Sequence, residues 1–315
     1  MKLATYARAG GTAAVGVVDT VRGEILDLGA AGADFASMQA LIEAGDAGLA
    51  RAREAATKWP AAAARPLAGT KLLAPLPRPE SIRDCLVYER HLHNAMKAWE
   101  KLANRPVTEI PKVWFERPTW YKGNRFSVVG HEAEVQWPPY SEMMDFELEL
   151  ACVIGKRGRD IPAGEAMGHI FGFTIFNDFS ARDTQMVERP LGMGPMKGKD
   201  FDTGNVFGPW IVTTDEIGDP QDLDMQVRVN GERWGGGNSG EMHHGFAKIL
   251  AFISVSETLH PGEIIASGTV GTGCGLELCR FLKPGDVVEL EVGKIGTLRN
   301  RIVRQSRRAE ARPAG

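Results

Sequence analysis

Short alternating runs and wholly apolar runs, broken by glycine and proline, make up most of this chain. Its first thirty residues alternate and turn: Ala13 to Val18, then Arg22-Gly23, then Glu24 to Leu28, a pattern that predicts a short hairpin or meander. Residues 32–65 are Ala-rich, and Leu41, Ile42, Leu49, Ala52 and Ala56 fall roughly on one stripe, as an amphipathic helical region requires. Prolines then punctuate Pro66 through Pro79, around an apolar strand from Lys71 to Ala74. The expected organisation is a small N-terminal α+β domain over 1–70, a main body over 71–305, and a frayed tail over 306–315.

In the body the pattern predicts strands at Val128–Val129, Glu147–Ile154, Ile170–Asn177, Gly208–Thr213, Met225–Val229, Val287–Val292 and Gly296–Val303, with Asn230-Gly231 as a hairpin turn. Helical spacing interrupts at Arg90–Ala103 and Phe246–Ser254. Because helices interrupt the strands rather than alternate with them, the expected class is α+β, a mixed or antiparallel β-sheet roll, and not a doubly wound parallel sheet. Gly235-Gly236-Gly237, after the hairpin, reads as a mobile turn. The glycines between Gly268 and Gly275 miss the dinucleotide spacing, because Leu276 stands where the last glycine belongs. No G-K-[ST] occurs either, so a nucleotide site is not expected.

Composition narrows the classes further. A chain of 315 residues with 43% hydrophobic and 24% charged positions can bury a sizeable core. Lys plus Arg is 37 against 40 for Asp plus Glu, a balance that points to neither nucleic acid nor an anionic membrane. No run approaches the roughly eighteen apolar residues of a membrane span, and the N-terminus has no apolar leader segment, so a cytoplasmic location is expected. The cysteines Cys85, Cys152, Cys274 and Cys279 form no C-x-x-C pair and suggest neither zinc nor a disulfide framework.

Against this ordinary background, acids stand in apolar strands. Glu147 and Glu149 alternate with Phe146, Leu148 and Leu150, so the two carboxylates share one face of a strand that runs on into a core. Carboxylates at the mouth of a core strand repel each other and lose hydration unless a cation neutralises them, and a hard divalent ion does so with oxygen ligands alone. Asp178, ending the apolar strand that starts at Ile170, can add a third oxygen. An isolated E-x-E fits a solvated strand face equally well. Arg182 and Gln185, three apart after Asp178, share a helix face and suit a carboxylate ligand, or a solvated helix start. Lys199 can steady an oxyanion or lie exposed in its loop. Asp84 and His91 straddle a strand end and a helix start, and imidazole titrates near neutrality. Glu277 reads as another acid on an apolar strand, able to orient a histidine.

Asp145 to Gly155, Gly172 to Asp183, Lys197 to Thr203, Ser267 to Cys274 and Lys283 to Val288, in this order and spacing, resemble the fumarylacetoacetate hydrolase family over roughly residues 72 to 305. The resemblance implies a divalent metal (Mg²⁺ or Mn²⁺, in some members Ca²⁺) that holds a β-diketo or 2-oxo acid whose carbon–carbon bond is cleaved or rearranged. It implies Glu147, Glu149 and Asp178 as metal ligands and Asp84 as a further one. It implies His91 as the water-activating base oriented by Glu277, and Arg182, Gln185 and Lys199 on the substrate oxygens. Tyr121, Thr203 and Thr269 match substrate-contact positions. A homodimer acting on a small dioxo acid is implied as well.

Two departures bear on the reaction. Shorter members carry N-Y-x-x-H-x-x-E, whereas here Val87-Tyr88-Glu89-Arg90-His91-Leu92-His93-Asn94 lacks the trailing Glu, so the decarboxylase and acylpyruvase branch fits less well. His93 is a rival base, although helical geometry turns it about 200° from His91. The expected activity is metal-dependent hydrolysis of a carbon–carbon bond in a 2,4-dioxo acid. Its alternatives are decarboxylation, isomerisation or hydration through an enolate, and a noncatalytic metal- or carboxylate-binding module. The stretches 101–125 and 184–196 are the expected pocket walls, the second with glycine hinges fit for a lid.

Overall fold

The computed structural model describes residues 1–103, 106 and 108–304; the tail expected over 306–315, and three positions of the wall expected over 101–125, lie outside them. Among the described residues one sheet has the spatial order β4 (Ala64–Pro66), β3 (Glu24–Asp27), β2 (Ala13–Asp19), β1 (Lys2–Ala7), β13 (Asn205–Thr213), β11 (Ile170–Asp178), β10 (Leu148–Ile154), β16 (Ile264–Ala266), β5 (Ile82–Cys85) and β6 (Trp120–Lys122). Beside β13 runs β7 (Val128–Val129), in parallel. A second sheet has the order β15 (Glu232–Asn238), β14 (Asp224–Val229), β17 (Val287–Val292), β18 (Gly296–Arg304) and β8 (Glu134–Trp137). A two-stranded pair, β9 (Met144–Asp145) with β12 (Ser180–Ala181), completes the strands. The α+β class with mixed sheets is as the sequence predicts.

Why the central strands read as unbroken apolar runs is clear from their two faces. Leu148, Leu150, Cys152 and Ile154 of β10 enter a core shared with Val227, Val288 and Leu290 of the second sheet. Ala151 and Val153 enter a second core, with Leu41, Ile42 and Ala52 of the N-terminal helices and with Phe176 and Phe207. Phe176 and Phe207 stack at 4.3 Å between ring centroids and an interplanar angle of 9°. The first 70 residues therefore share both sheet and core with the body: β1 pairs antiparallel with β13, Lys2 opposite Val212 and Leu3 opposite Ile211. The division at residue 70 stands as our proposal for where an N-terminal unit ends, although no gap in the core marks it.

Three local expectations are corrected. The helical region 32–65 is two helices, Met38–Glu43 and Gly45–Lys58. Gly45 has φ +56°, the left-handed conformation in which a helix ends and glycine carries no Cβ penalty. The strand expected over 71–74 is only a bridge from Leu72 to Tyr6. Gly235 to Gly237 are not a mobile turn but part of β15. A Cβ on Gly235 would sit 2.0 Å from the Thr272 carbonyl, so glycine here permits a close backbone approach that side chains would block. Among the described residues no helix is long and apolar enough to cross a membrane.

Candidate functional site

Pairing direction gathers the acids. Antiparallel pairing of β10 with β11 and β16, and parallel pairing of β16 with β5, bring the start of β10 to the ends of the other three. The parity that sends Ile82, Ala151, Val153 and Phe176 into the second core puts Asp84, Glu147, Glu149 and Asp178 on that same face. All four acids are buried. One carboxylate oxygen from each lies within 4.8 Å of one from every other.

Burial and crowding act unequally on these groups. Asp84 and Glu149 are driven well above the usual carboxylate range, first by burial and then by neighbouring acids: Asp178 acts on Asp84, and Asp84 on Glu149. Asp178 is raised by burial despite its Lys199 contact. Glu147 is also desolvated, yet Arg182 and Lys199 outweigh this and hold it below the ordinary range. Arg182 Nη2 donates to Glu147 at 2.6 Å, and Lys199 Nζ donates to Glu147 at 2.5 Å and also to Asp178. Two cations thus face these four acids, and Arg182 is shared with a fifth, buried Asp145. The imbalance matches a divalent cation, and the orphaned oxygens agree: Asp84 Oδ1 and Asp178 Oδ1 are buried with no hydrogen-bond partner. An all-oxygen donor set of this kind suits Mg²⁺ or Mn²⁺, so the residues fit a hard divalent ion.

Around the acids the remaining groups converge. Tyr121 donates its hydroxyl to Asp178 Oδ2 at 2.6 Å. Gly268 N–H and the Thr269 hydroxyl donate to Glu149 at 3.1 and 3.4 Å. Gly268 sits at φ +83°, where an added Cβ would lie 2.3 Å from the Cys85 carbonyl. Gly268→Ala should therefore lower stability by about 1–3 kcal/mol through strain at this turn, and a thermal or urea melt would register it; an unchanged melt would mean the turn relaxes freely.

Across the cavity stands a second arrangement. His91 Nδ1 lies 2.8 Å from Glu277 Oε1. A carboxylate only accepts, so Nδ1 carries the proton and Nε2 is the basic nitrogen. Glu277 is immobilised by Asn94 Nδ2 at 2.7 Å and Thr272 N–H at 2.8 Å. It belongs to the short helix Gly275–Leu278, not to the strand expected from its apolar neighbours. Asn94, where the sequence departs from the N-Y-x-x-H-x-x-E pattern, is thus a donor to Glu277, and a glutamate there would repel it. His93 lies outside this group: it is exposed and 3.4 Å from Glu89.

One cavity of about 350 Å³ is lined by Asp84, His91, Tyr121, Glu147, Glu149, Arg182, Gln185, Lys199 and Thr269 together. Gln185 accepts from Arg182 Nη1 at 3.0 Å, as expected for two residues on one helix face. Thr203 is not among the residues that line this cavity; its hydroxyl accepts from the Gln136 N–H at 2.8 Å, and its backbone has φ +66°. Asp145, which the sequence pattern does not single out, also belongs to this network. It accepts from Arg182 Nε at 2.8 Å and from Gly275 and Leu276 N–H at 2.7 and 2.9 Å, so it ties the arginine to the helix that bears Glu277. The available signal was parity, since Asp145 lies two before Glu147 on the same face.

A cavity with buried carboxylates at one wall and an oriented imidazole at another is the arrangement expected of a metal-dependent enzyme. Residues 81–303 match the model of the fumarylacetoacetate hydrolase C-terminal domain, and the chain belongs to the fumarylacetoacetate hydrolase family. It is 36% identical to the human mitochondrial oxaloacetate tautomerase FAHD2A over 269 residues, 85% of this chain and 80% of that protein. It is 40% identical to the 2,4-didehydro-3-deoxy-L-rhamnonate hydrolase of Sphingomonas sp. (strain SKA58) over 178 residues, 56% of this chain and 61% of that protein. Its fold resembles the crystal structure of maleylpyruvate hydrolase from Sphingobium sp. SYK-6 in complex with manganese(II) and pyruvate, with a TM-score of 0.74 and 27% identity over 97% of this chain and 100% of that one.

Proposed function

We propose that this protein hydrolyses a carbon–carbon bond in a 2,4-dioxo acid, with Mg²⁺ or Mn²⁺ held by Asp84, Glu147, Glu149 and Asp178. The observation that carries the reading is that His91, bonded to Glu277, lines the same cavity as Asp84, Glu147 and Glu149, beside which Asp178 completes the acid cluster. When bound, the ion supplies Lewis acidity toward the carbonyl oxygens. His91 takes a proton from water at Nε2, while Glu277 stabilises the charged ring. The water oxygen adds to the C4 carbonyl, and Arg182, Gln185 and Lys199 steady the oxyanion. As it collapses, the C3–C4 electrons pass to C3 and delocalise onto the 2-oxo group as an enolate. That carbon is then protonated, which leaves a 2-oxo acid and a carboxylic acid.

A second reading draws on the likeness to the human oxaloacetate tautomerase across 85% of the chain. In it the same histidine moves a proton between C3 and the enol oxygen, and no water is consumed. Assays with acylpyruvates, 2,4-dioxo sugar acids and oxaloacetate under Mg²⁺ and Mn²⁺ separate the two. Hydrolysis yields two acids from a dioxo substrate, whereas tautomerisation changes only the enol absorbance of oxaloacetate. Turnover of none of them would leave a noncatalytic binding module.

A further inference from the structure

The cavity is chemically two-sided. Several of its polar lining residues are bonded together at the carboxylate end: Arg182 to Gln185 and Glu147, Lys199 to Glu147 and Asp178, and Tyr121 to Asp178, while Thr119 and Arg189 line it elsewhere. The wall beyond His91 is different. Leu92, Ala95, Met96 and Trp99 line the cavity from the helix Glu89–Ala103, at the i, i+3, i+4, i+7 spacing that puts them on one helix face beside His91. Opposite them Leu276 completes the wall from the short helix that bears Glu277. Trp99 and Leu276 belong to one buried cluster with Ala98 and Cys274, against which Ala95 and Met186 pack, so this wall is fixed and not a loose surface. From His91 to Trp99 the helix advances about 12 Å, room for a substituent well beyond the reacting carbonyl.

We infer that the substrate carries an apolar group, alkyl or aryl, on its distal carbonyl, seated against Leu92, Met96, Trp99 and Leu276. The inference rests on the proposed function and specifies it. The dioxo head lies at the acids, so the substituent on C4 extends past His91 along the helix. A hydroxylated chain there would leave its hydroxyls against Leu92, Met96 and Leu276, which cannot hydrogen-bond, an unfavourable burial. An alkyl chain gains with each methylene removed from water.

The test uses binding and so does not depend on turnover. The Mn²⁺-loaded protein is titrated by calorimetry with unbranched 2-oxo acids from pyruvate upward, beside a 2-oxo diacid and a hydroxylated 2-oxo sugar acid of similar length. Affinity should rise about fourfold per methylene until the wall is filled, and Met96→Gln should flatten that rise. A flat series, or tighter binding of the diacid or the sugar acid, overturns the apolar assignment while the dioxo-acid reading stands. If no 2-oxo acid binds, pyruvate included, the proposed function itself falls and this inference with it.

Discussion

Exchanging Asp178 for asparagine should abolish metal-dependent turnover and remove the rise in melting temperature that Mg²⁺ or Mn²⁺ gives the parent protein. The substitution keeps the shape but takes away one charge and the buried Oδ1 that no protein donor satisfies. A metal present at a hundred times its dissociation constant stabilises the native state by about 2.7 kcal/mol, and loss of one anionic ligand should remove most of this. The effect depends on pH. Asp84 and Glu149 have folded-state pKa values well above those of an unfolded chain, through burial first and then repulsion by a neighbouring acid, Asp178 on Asp84 and Asp84 on Glu149. Between the ordinary carboxylate range and those raised values the metal-free native state binds more protons than the unfolded one, so its stability falls as pH rises. A bound cation favours the ionised forms and displaces those protons. The thermal shift on adding metal should therefore grow with pH, while the metal-free melt drifts down. Melts with and without chelator across about pH 5 to 8 decide it. A parent protein indifferent to chelator at every pH would mean that the four acids are not a metal site.

How far this site could be read in advance depended on whether the information was local. Glu147, Glu149 and Asp178 declare themselves because a strand alternates strictly and an acid in an apolar run contradicts its surroundings. Arg182 and Gln185 likewise follow from helical spacing. What one sequence does not contain is which strand ends meet. Asp84 joins the cluster only because β5 lies beside β16 in parallel, a pairing fixed by long-range packing. Glu277 reads as part of a strand because a four-residue helix within an apolar run has too few residues to show a period. Thr203 matched by position, yet its hydroxyl belongs to Gln136, a contact set by a left-handed backbone that threonine rarely adopts. The glycines of β15 were read as loose for the opposite reason. Their missing side chains let the strand approach Thr272, whose N–H in turn holds Glu277.

Replacing His91 by alanine should lower kcat by about 10² to 10⁴ and leave the metal-induced thermal shift in place. His91 is bonded to Glu277 and lies outside the group of four acids, so the metal wall keeps its ligands. Glu277→Gln should give a smaller loss and a moved pH profile. The neutral amide can still accept from Nδ1, but it no longer stabilises the ring when it charges. A structural role for His91 would instead lower the melting temperature and affect binding and turnover together. Neighbouring His93 cannot substitute, since it is exposed and paired with Glu89 on another side of the helix. The two readings of the reaction part here as well. Hydrolysis needs a base for water, so His91→Ala should slow release of the two acids from an acylpyruvate by that same factor. Undiminished release would leave the oriented histidine without the role proposed for it. If enol–keto exchange of oxaloacetate survives the same substitution, its proton must move through a different group, and Tyr121 or Lys199, both in contact with Asp178, would be the next residues to exchange.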